Sequence, residues 1–426
     1  MMRRVMKSKS TKGHKTMKGT PEHKWSTSTM RHRMATYGLG LAVGAVVALL
    51  LAPSAWAQAD ASVRFKVLHS FTGGADGAVP AAGLVLDAAG NLYGTAALGG
   101  KAGFGTVFEI NKETGKFTVL HAFRGGQDGN QPVADLLLDN EGNLYGTTGL
   151  GGSTSCLGQK GCGTVFEVTN AGHEKVLYAF KGGKSDGSLP VAGLVMDSSG
   201  NLYGTTNYDG TGNVGTAYKL DTHRKETVLH NFQGAPNDGT NPKSELLLDT
   251  DGNLWGTTYG GGSSNNGTVF KINKKDKTTI VYSFTGGSDG GWPAAGLVQD
   301  SEGNLYGTGE VPGVVFEVNQ AGQESVVWDF GSTENFDGGA PEAQLLLRND
   351  GILYGTTQVG GYNDVGTVFE VTTAGAETVL YRFLGATDGG FPVADLVMDS
   401  SGNLYGTASA YGKHGYGVVF EISPRK

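Results

Sequence analysis

Beyond residue 60 the apolar positions fall into four short segments that recur in the same order along the chain. The first copy reads "GLVLD" at 83–87, "NLYGT" at 91–95, "GTVFEI" at 105–110 and "FTVLHAF" at 117–123. Each segment is rich in β-branched and aromatic residues and bounded by Gly, Asp or Asn, the signature of a strand. The aromatic of the second segment recurs at Tyr93, Tyr145, Tyr203, Trp255, Tyr306, Tyr354 and Tyr405, at intervals of 52, 58, 52, 51, 48 and 51 residues. Four strands at such a period predict the blades of a propeller.

The connections sharpen this reading. Asp-x-x-Gly-Asn joins the first two strands, from Asp87–Asn91 to Asp399–Asn403, and suits a tight hairpin in which Asp caps the turn. One copy departs, with Arg348 and Ile352 at its two ends. The second and third strands are joined by Gly-rich loops of variable length, from "GEVPG" at 309–313 to a Cys-containing insertion at 149–163. Variation on one side only is what repeat proteins show at a binding face.

The first strand, Val67–Phe71, is of the fourth type and the last, Val418–Ile422, of the third. The expected fold is all-β: a seven-bladed β-propeller of four-stranded blades, "GLVLD" strands innermost, closed by the N-terminal strand completing the last blade. A single domain over 58–426 follows.

Composition agrees, since Gly supplies 72 of 426 residues, about 17% against an average of about 7%. That is too many for long helices. The first 57 residues hold 10 of the 33 Lys and Arg but only one of the 40 acids, so the remainder is near −16 while the whole chain is −7. Inside this basic segment an apolar run at 39–52 precedes "PSAWAQA", the pattern of a secretory signal over 1–57 cleaved after Ala57. Met30 or Met34 would begin a signal of ordinary length. With no Cys after the apolar run and "EISPRK" at the end, the mature chain is expected to be soluble, exported to the periplasm or exterior, and monomeric. Its acidity argues against nucleic acid or an anionic membrane as partner. Cys156 and Cys162 share one loop, and in an exported chain they are expected to pair.

Repeats reading "NLYGTT…GG…GTVFE" resemble the Gloeo/Verruco (GloVer) tandem repeats of exported bacterial proteins over essentially the whole mature chain. The resemblance implies export, often with a separate C-terminal anchor, and no established chemistry. The "D-x-x-GNLY" turn is also similar to that of NHL-type and gluconolactonase-like propellers.

Candidate chemistry is sought where the repeat is broken. Asp-Gly-x-x-Pro recurs in all seven copies, from Asp76–Pro80 to Asp388–Pro392, and is read as turn chemistry. His69, His121 and His230 share a slot with Tyr178, Tyr282, Trp328 and Tyr381 and are read as packing. Three residues past each Pro, by contrast, the slot reads Gly83, Asp135, Gly193, Glu245, Gly296, Gln344 and Asp395. Asp135, Glu245, Gln344 and Asp395 are expected to converge at the mouth of the central channel. There they would hold Ca²⁺, with Asp135, Glu245 and Asp395 as ligands, or hydrogen-bond a sugar, or merely cap backbone N–H groups of the neighbouring blade. Trp292, on the loop before Pro293, is suited to stacking on a sugar ring. Tyr208, Tyr259, Tyr362, Tyr411 and Tyr416 lie in or beside the variable loops. No G-x-S-x-G, H-E-x-x-H or phosphate-loop signature occurs. The leading expectation is a non-catalytic module that binds a glycan or protein through the variable-loop face. The alternatives are a metal-assisted hydrolase or lactonase using the three acids, and a structural envelope component.

Overall fold

The computed structural model describes residues 63–425 apart from 154–155, 157–159 and 333–336; the expected signal segment lies outside the described residues. Seven four-stranded antiparallel sheets form the blades of a propeller ring. Blade 1 runs outward through Val85–Leu86, Leu92–Ala96, Thr106–Ile110 and Phe117–Ala122, and blades 2 to 6 repeat that order. Blade 7 takes Val397–Met398, Leu404–Ala408 and Val418–Pro424 from the C-terminal end, and Val63–Ser70 pairs antiparallel with its third strand.

One ring at each interface locks neighbouring blades. The Phe that ends an outer strand meets the aromatic of the next blade's third strand edge-on. The seven pairs, from Phe71–Phe108 to Phe383–Phe420, have centroids 5.0–5.4 Å apart. This is the preferred aromatic geometry, and these outer-strand Phe residues are buried. The glycine inside "NLYGT" makes room for the ring: a Cβ on Gly94 would lie 2.7 Å from Phe108 Cζ.

The Thr of "NLYGT" is equally buried and crosses the next interface. Thr95 Oγ1 donates to the Ala134 carbonyl at 3.3 Å and Thr257 Oγ1 to that of Ala295 at 2.8 Å. Blade after blade the pattern repeats until Thr407 of blade 7 reaches Ala82 of blade 1.

The hairpins close as expected. Asp87 Oδ1 accepts the N–H of Ala89 and Asn91, and Oδ2 accepts Asn91 Nδ2–H and the Tyr93 hydroxyl. In the departing copy a new arrangement replaces this one. Arg348 donates to the Tyr354 hydroxyl at 2.7 Å and forks onto the Asp350 carboxylate.

A candidate ligand-binding face around the central channel

The variable loops and the Asp-Gly-x-x-Pro loops share one face. Short backbone bridges tie them together, Gly187–Ser188 to Tyr208–Asp209 and Gly239–Thr240 to Gly260–Gly261, with single bridges such as Ala78 to Leu98 elsewhere. The loop Asp serves its own turn and the aromatic slot: Asp289 accepts from the Thr285 N–H at 2.7 Å and the Tyr282 hydroxyl at 2.9 Å. His69 and His230 lie 3.1 and 3.0 Å from Asp76 and Asp238 in the same way. The slot therefore holds a flat, part-polar ring against a turn carboxylate.

Every residue before a loop Pro adopts a left-handed backbone, including Val79 at φ 56°, Phe391 at φ 55° and Trp292 at φ 50°. Such a conformation is costly for bulky residues and persists only where the surroundings over-determine it. At Phe391 the backbone is stapled on both sides. Phe391 donates its N–H to Val365 of the preceding blade at 2.7 Å and accepts from Ser409 of its own blade at 3.2 Å. Trp292 likewise donates to Asn266 at 2.7 Å. Its side chain is half-buried, and it does not line the central cavity.

Asp135, Glu245, Gln344 and Asp395 do line one central cavity, of about 110 Å³, together with residues from the innermost segments of all seven blades. Their side chains lean sideways over the glycines of neighbouring blades. Asp135 covers Gly83 and accepts its N–H, Glu245 covers Gly193, and Gln344 covers Gly296. Asp395 accepts the Gln344 N–H at 3.4 Å. The alternation of glycine and polar residues around the ring is thus steric, since a Cβ at Gly193 or Gly296 would collide with the side chain beside it.

The electrostatics follow from enclosure. Burial raises Asp135, opposed by hydrogen bonds from Asp395 and the Gly83 N–H. Burial, then the charges of Asp135 and Glu245, raise Asp395 well above the usual carboxylate range. Both members of the pair are thus pushed toward the protonated form, and Asp135 and Asp395 titrate together. Burial and the Asp135 charge push Glu245 up to about 8. Three acids consequently share fewer than three negative charges at neutral pH. Their ligand oxygens do not all approach within 4.8 Å of one another.

Two charged positions in the wall were missed in the sequence. The residue after each loop Pro is apolar in five blades but is Lys243 and Glu342 in the other two. The Lys243 ammonium lies 3.8 Å from the Tyr259 ring centroid, and burial lowers its pKa despite Glu342 and Glu310 nearby. Burial raises Glu342, as does the charge of Glu310. The repeat-breaking rule that singled out Asp135 would have found both, had it been applied two positions earlier.

On the opposite face, hollows of about 1010 and 960 Å³ between hairpins reach the same acids. Their walls are the repeat itself, Leu86, Leu138, Leu347 and Met398 in equivalent places. The variable-loop face is the irregular one. Six of the seven exposed large apolar residues among the described positions lie on its loops: Leu98, Tyr208, Val311, Tyr362, Tyr411 and Tyr416. Cys156 and Cys162 form a disulfide that spans the longest of these loops, and Cys156 Sγ rests on Gly182 of the neighbouring loop.

No helix among the described residues is long and apolar enough to cross a membrane. Among solved structures, streptogramin B lyase matches with a TM-score of 0.61 at 14% identity, covering 86% of this chain and 100% of that one. The extracellular domain of a hybrid two-component system of B. thetaiotaomicron matches at 0.55 and 11%, covering 84% of this chain and 39% of the other. A gluconolactonase of Xanthomonas campestris matches at 0.43 and 14%, covering 82% and 97%. At these identities the first two matches are likenesses of fold. Comparison with curated proteins finds no match. The Gloeobacter/Verrucomicrobia repeat model matches residues 56–158, 150–313 and 309–426. The chain belongs to the Gloeobacter/Verrucomicrobia repeat family.

Proposed function

We propose that this propeller is a non-catalytic binding module that takes a glycan across its variable-loop face. The observation that carries the reading is that exposed Tyr208, Tyr362, Tyr411 and Tyr416 all lie in loops of that face. A tyrosine ring offers an apolar platform and a hydroxyl at its edge, the combination that a sugar's C–H face and hydroxyls call for. Lys243, Glu342 and Gln344 at the channel mouth supply hydrogen-bonding groups beside it. On this face the channel mouth holds only about 110 Å³, small against the roughly 300–1,000 Å³ of small-molecule sites, so a ligand bound here lies over the face.

Export to the periplasm or exterior fits this role, and the acidic mature chain disfavours nucleic acid as the ligand. The hydrolase reading has less support, because Asp135 and Asp395 are occupied with each other and with neighbouring N–H groups.

Glycan-array binding by the purified protein, with Tyr362→Ala/Tyr416→Ala and Trp292→Ala variants alongside, tests the proposal. Binding that the double tyrosine variant loses supports it. A wild-type protein that retains no glycan, or a variant that binds as well as wild type, overturns it; capture of a protein instead of a glycan would move the ligand class.

A further inference from the structure

At the outer rim between blades 1 and 2, three side chains meet that no channel argument uses. His121 comes from the outer strand of blade 1 (Phe117–Ala122), Asp128 from the following loop, and Glu174 opens the outer strand of blade 2 (Glu174–Ala179). One ligand atom from each lies within 4.8 Å of the other two, the only such set of three or more His, Cys, Asp or Glu among the described residues.

The same place in other blades shows what is unusual. Tyr178, Asp186 and Glu226 occupy it at the next interface, and Tyr282, Asp289 and Glu324 further on, with the tyrosine hydroxyl bonded to the Asp. Where His recurs, the third partner is apolar or neutral: Phe117 stacks on His69, and Thr278 opens the strand beside His230. Only between blades 1 and 2 does an imidazole face two carboxylates.

The contacts there are also incomplete. His121 Nε2 is 3.3 Å from Asp128 Oδ1 but poorly aligned for a hydrogen bond, whereas the corresponding distance is 3.1 Å at His69 and 3.0 Å at His230. His121 Nε2 is withdrawn from solvent and has no hydrogen-bond partner; Glu174 Oε1 also has none, as do Glu226, Glu324 and Glu377 Oε1 at the equivalent interfaces, so the unpartnered imidazole nitrogen is what is particular to this one. The side chains of His121 and Asp128 are only 12% and 17% exposed, so water does not readily serve these atoms. Burying polar atoms without partners is unfavourable, and a cation drawn between them would satisfy both at once.

We infer that His121, Asp128 and Glu174 form a divalent transition-metal site at this rim. One imidazole nitrogen with two carboxylate oxygens suits Zn²⁺ or Mn²⁺ better than Ca²⁺, which takes six to eight oxygens. Three protein ligands leave a position for water or a ligand group. Arg124 is the opposing charge nearby, and a bound cation would favour the ionised form of both carboxylates.

The test uses the purified full chain, stripped with chelator, dialysed against Zn²⁺ or Mn²⁺ and analysed for bound metal and thermal midpoint. About one equivalent retained, with the midpoint raised by the metal, is expected. His121→Tyr installs the residue that Tyr178 and Tyr282 already show is compatible with the slot, so it should fold. Its expected effect is loss of the bound equivalent and of the metal-induced shift, and Glu174→Gln should weaken retention at least tenfold. Wild-type protein that retains no metal overturns the inference, as does binding that His121→Tyr leaves unchanged.

Discussion

Thr407 Oγ1 of the last blade donates a 2.9 Å hydrogen bond to the backbone carbonyl of Ala82 in the first, across 325 residues of chain. The same seam holds the Phe71–Phe108 ring pair, and Pro80 packs on Gly417 where no Cβ would fit. The last-to-first interface is therefore built like the other six. Thr407→Val removes the donor and keeps the shape, leaving a buried carbonyl without this partner. A loss of about 1–3 kcal/mol is expected in denaturant unfolding, matched by Thr257→Val at an internal interface. A seam variant with no effect would mean that the interface contributes nothing to the cooperative unit.

The glycine and polar residues of the channel ring are coupled sterically. Gly193→Ala places a Cβ against the Glu245 side chain, its nearest neighbour, and should destabilise. In a Glu245→Ala background the same change should cost little. A double-mutant cycle is expected to return a coupling of about 0.5–3 kcal/mol, and additive effects would show that Glu245 does not occupy that space.

Three glutamates at other blade interfaces, Glu226, Glu324 and Glu377, have pKa values pushed up to about 7, chiefly by burial and then by Asp186, Asp289 and Asp337 respectively. Their folded-state pKa values lie above the unfolded ones, so each contributes stability fully present below about 4.5 and lost as pH rises through about 7. The thermal midpoint should fall between pH 5 and pH 8.5 on this account. Glu324→Gln, which mimics the protonated acid, should flatten that fall. A midpoint that rises across the window, or a Gln variant with an unchanged slope, would refute the assignment.

The two kinds of hairpin differ in strength. Asp197 gathers four hydrogen bonds, from Ser199, Asn201 backbone and side chain, and Tyr203, and is held below its ordinary pKa by those that favour its charged form. Arg348 instead bonds Tyr354 and Asp350 where its guanidinium is substantially exposed. Asp197→Ala should cost about 2–4 kcal/mol, whereas Arg348→Ala should stay within about 1 kcal/mol, read from denaturation midpoints.

Blade number, strand order and hairpin chemistry were legible because each is local and recurs along the chain, the strands in seven copies and the hairpin in six. Thr95 and Gly94 were visible as repeats, but their reasons were not. One reaches Ala134 in the next blade, and the other leaves room for Phe108 across the sheet. Asp135, Glu245, Gln344 and Asp395 were legible as exceptions and do share one cavity. Their direction was not legible, because whether an acid points into the channel or over a neighbour's glycine depends on another blade's backbone.

By itself the sequence determined a ring of four-stranded blades, since strand alternation, turn residues and period are short-range properties that survive in one dimension. It also marked the variable loops as the irregular side. Only the tertiary structure decided what the exceptions do: Asp135 and Asp395 are buried as one coupled pair, Trp292 takes a left-handed backbone tied to Asn266, and His121, Asp128 and Glu174 meet across two blades. Each of these outcomes depends on a partner supplied by another blade, which the spacing of one repeat does not encode.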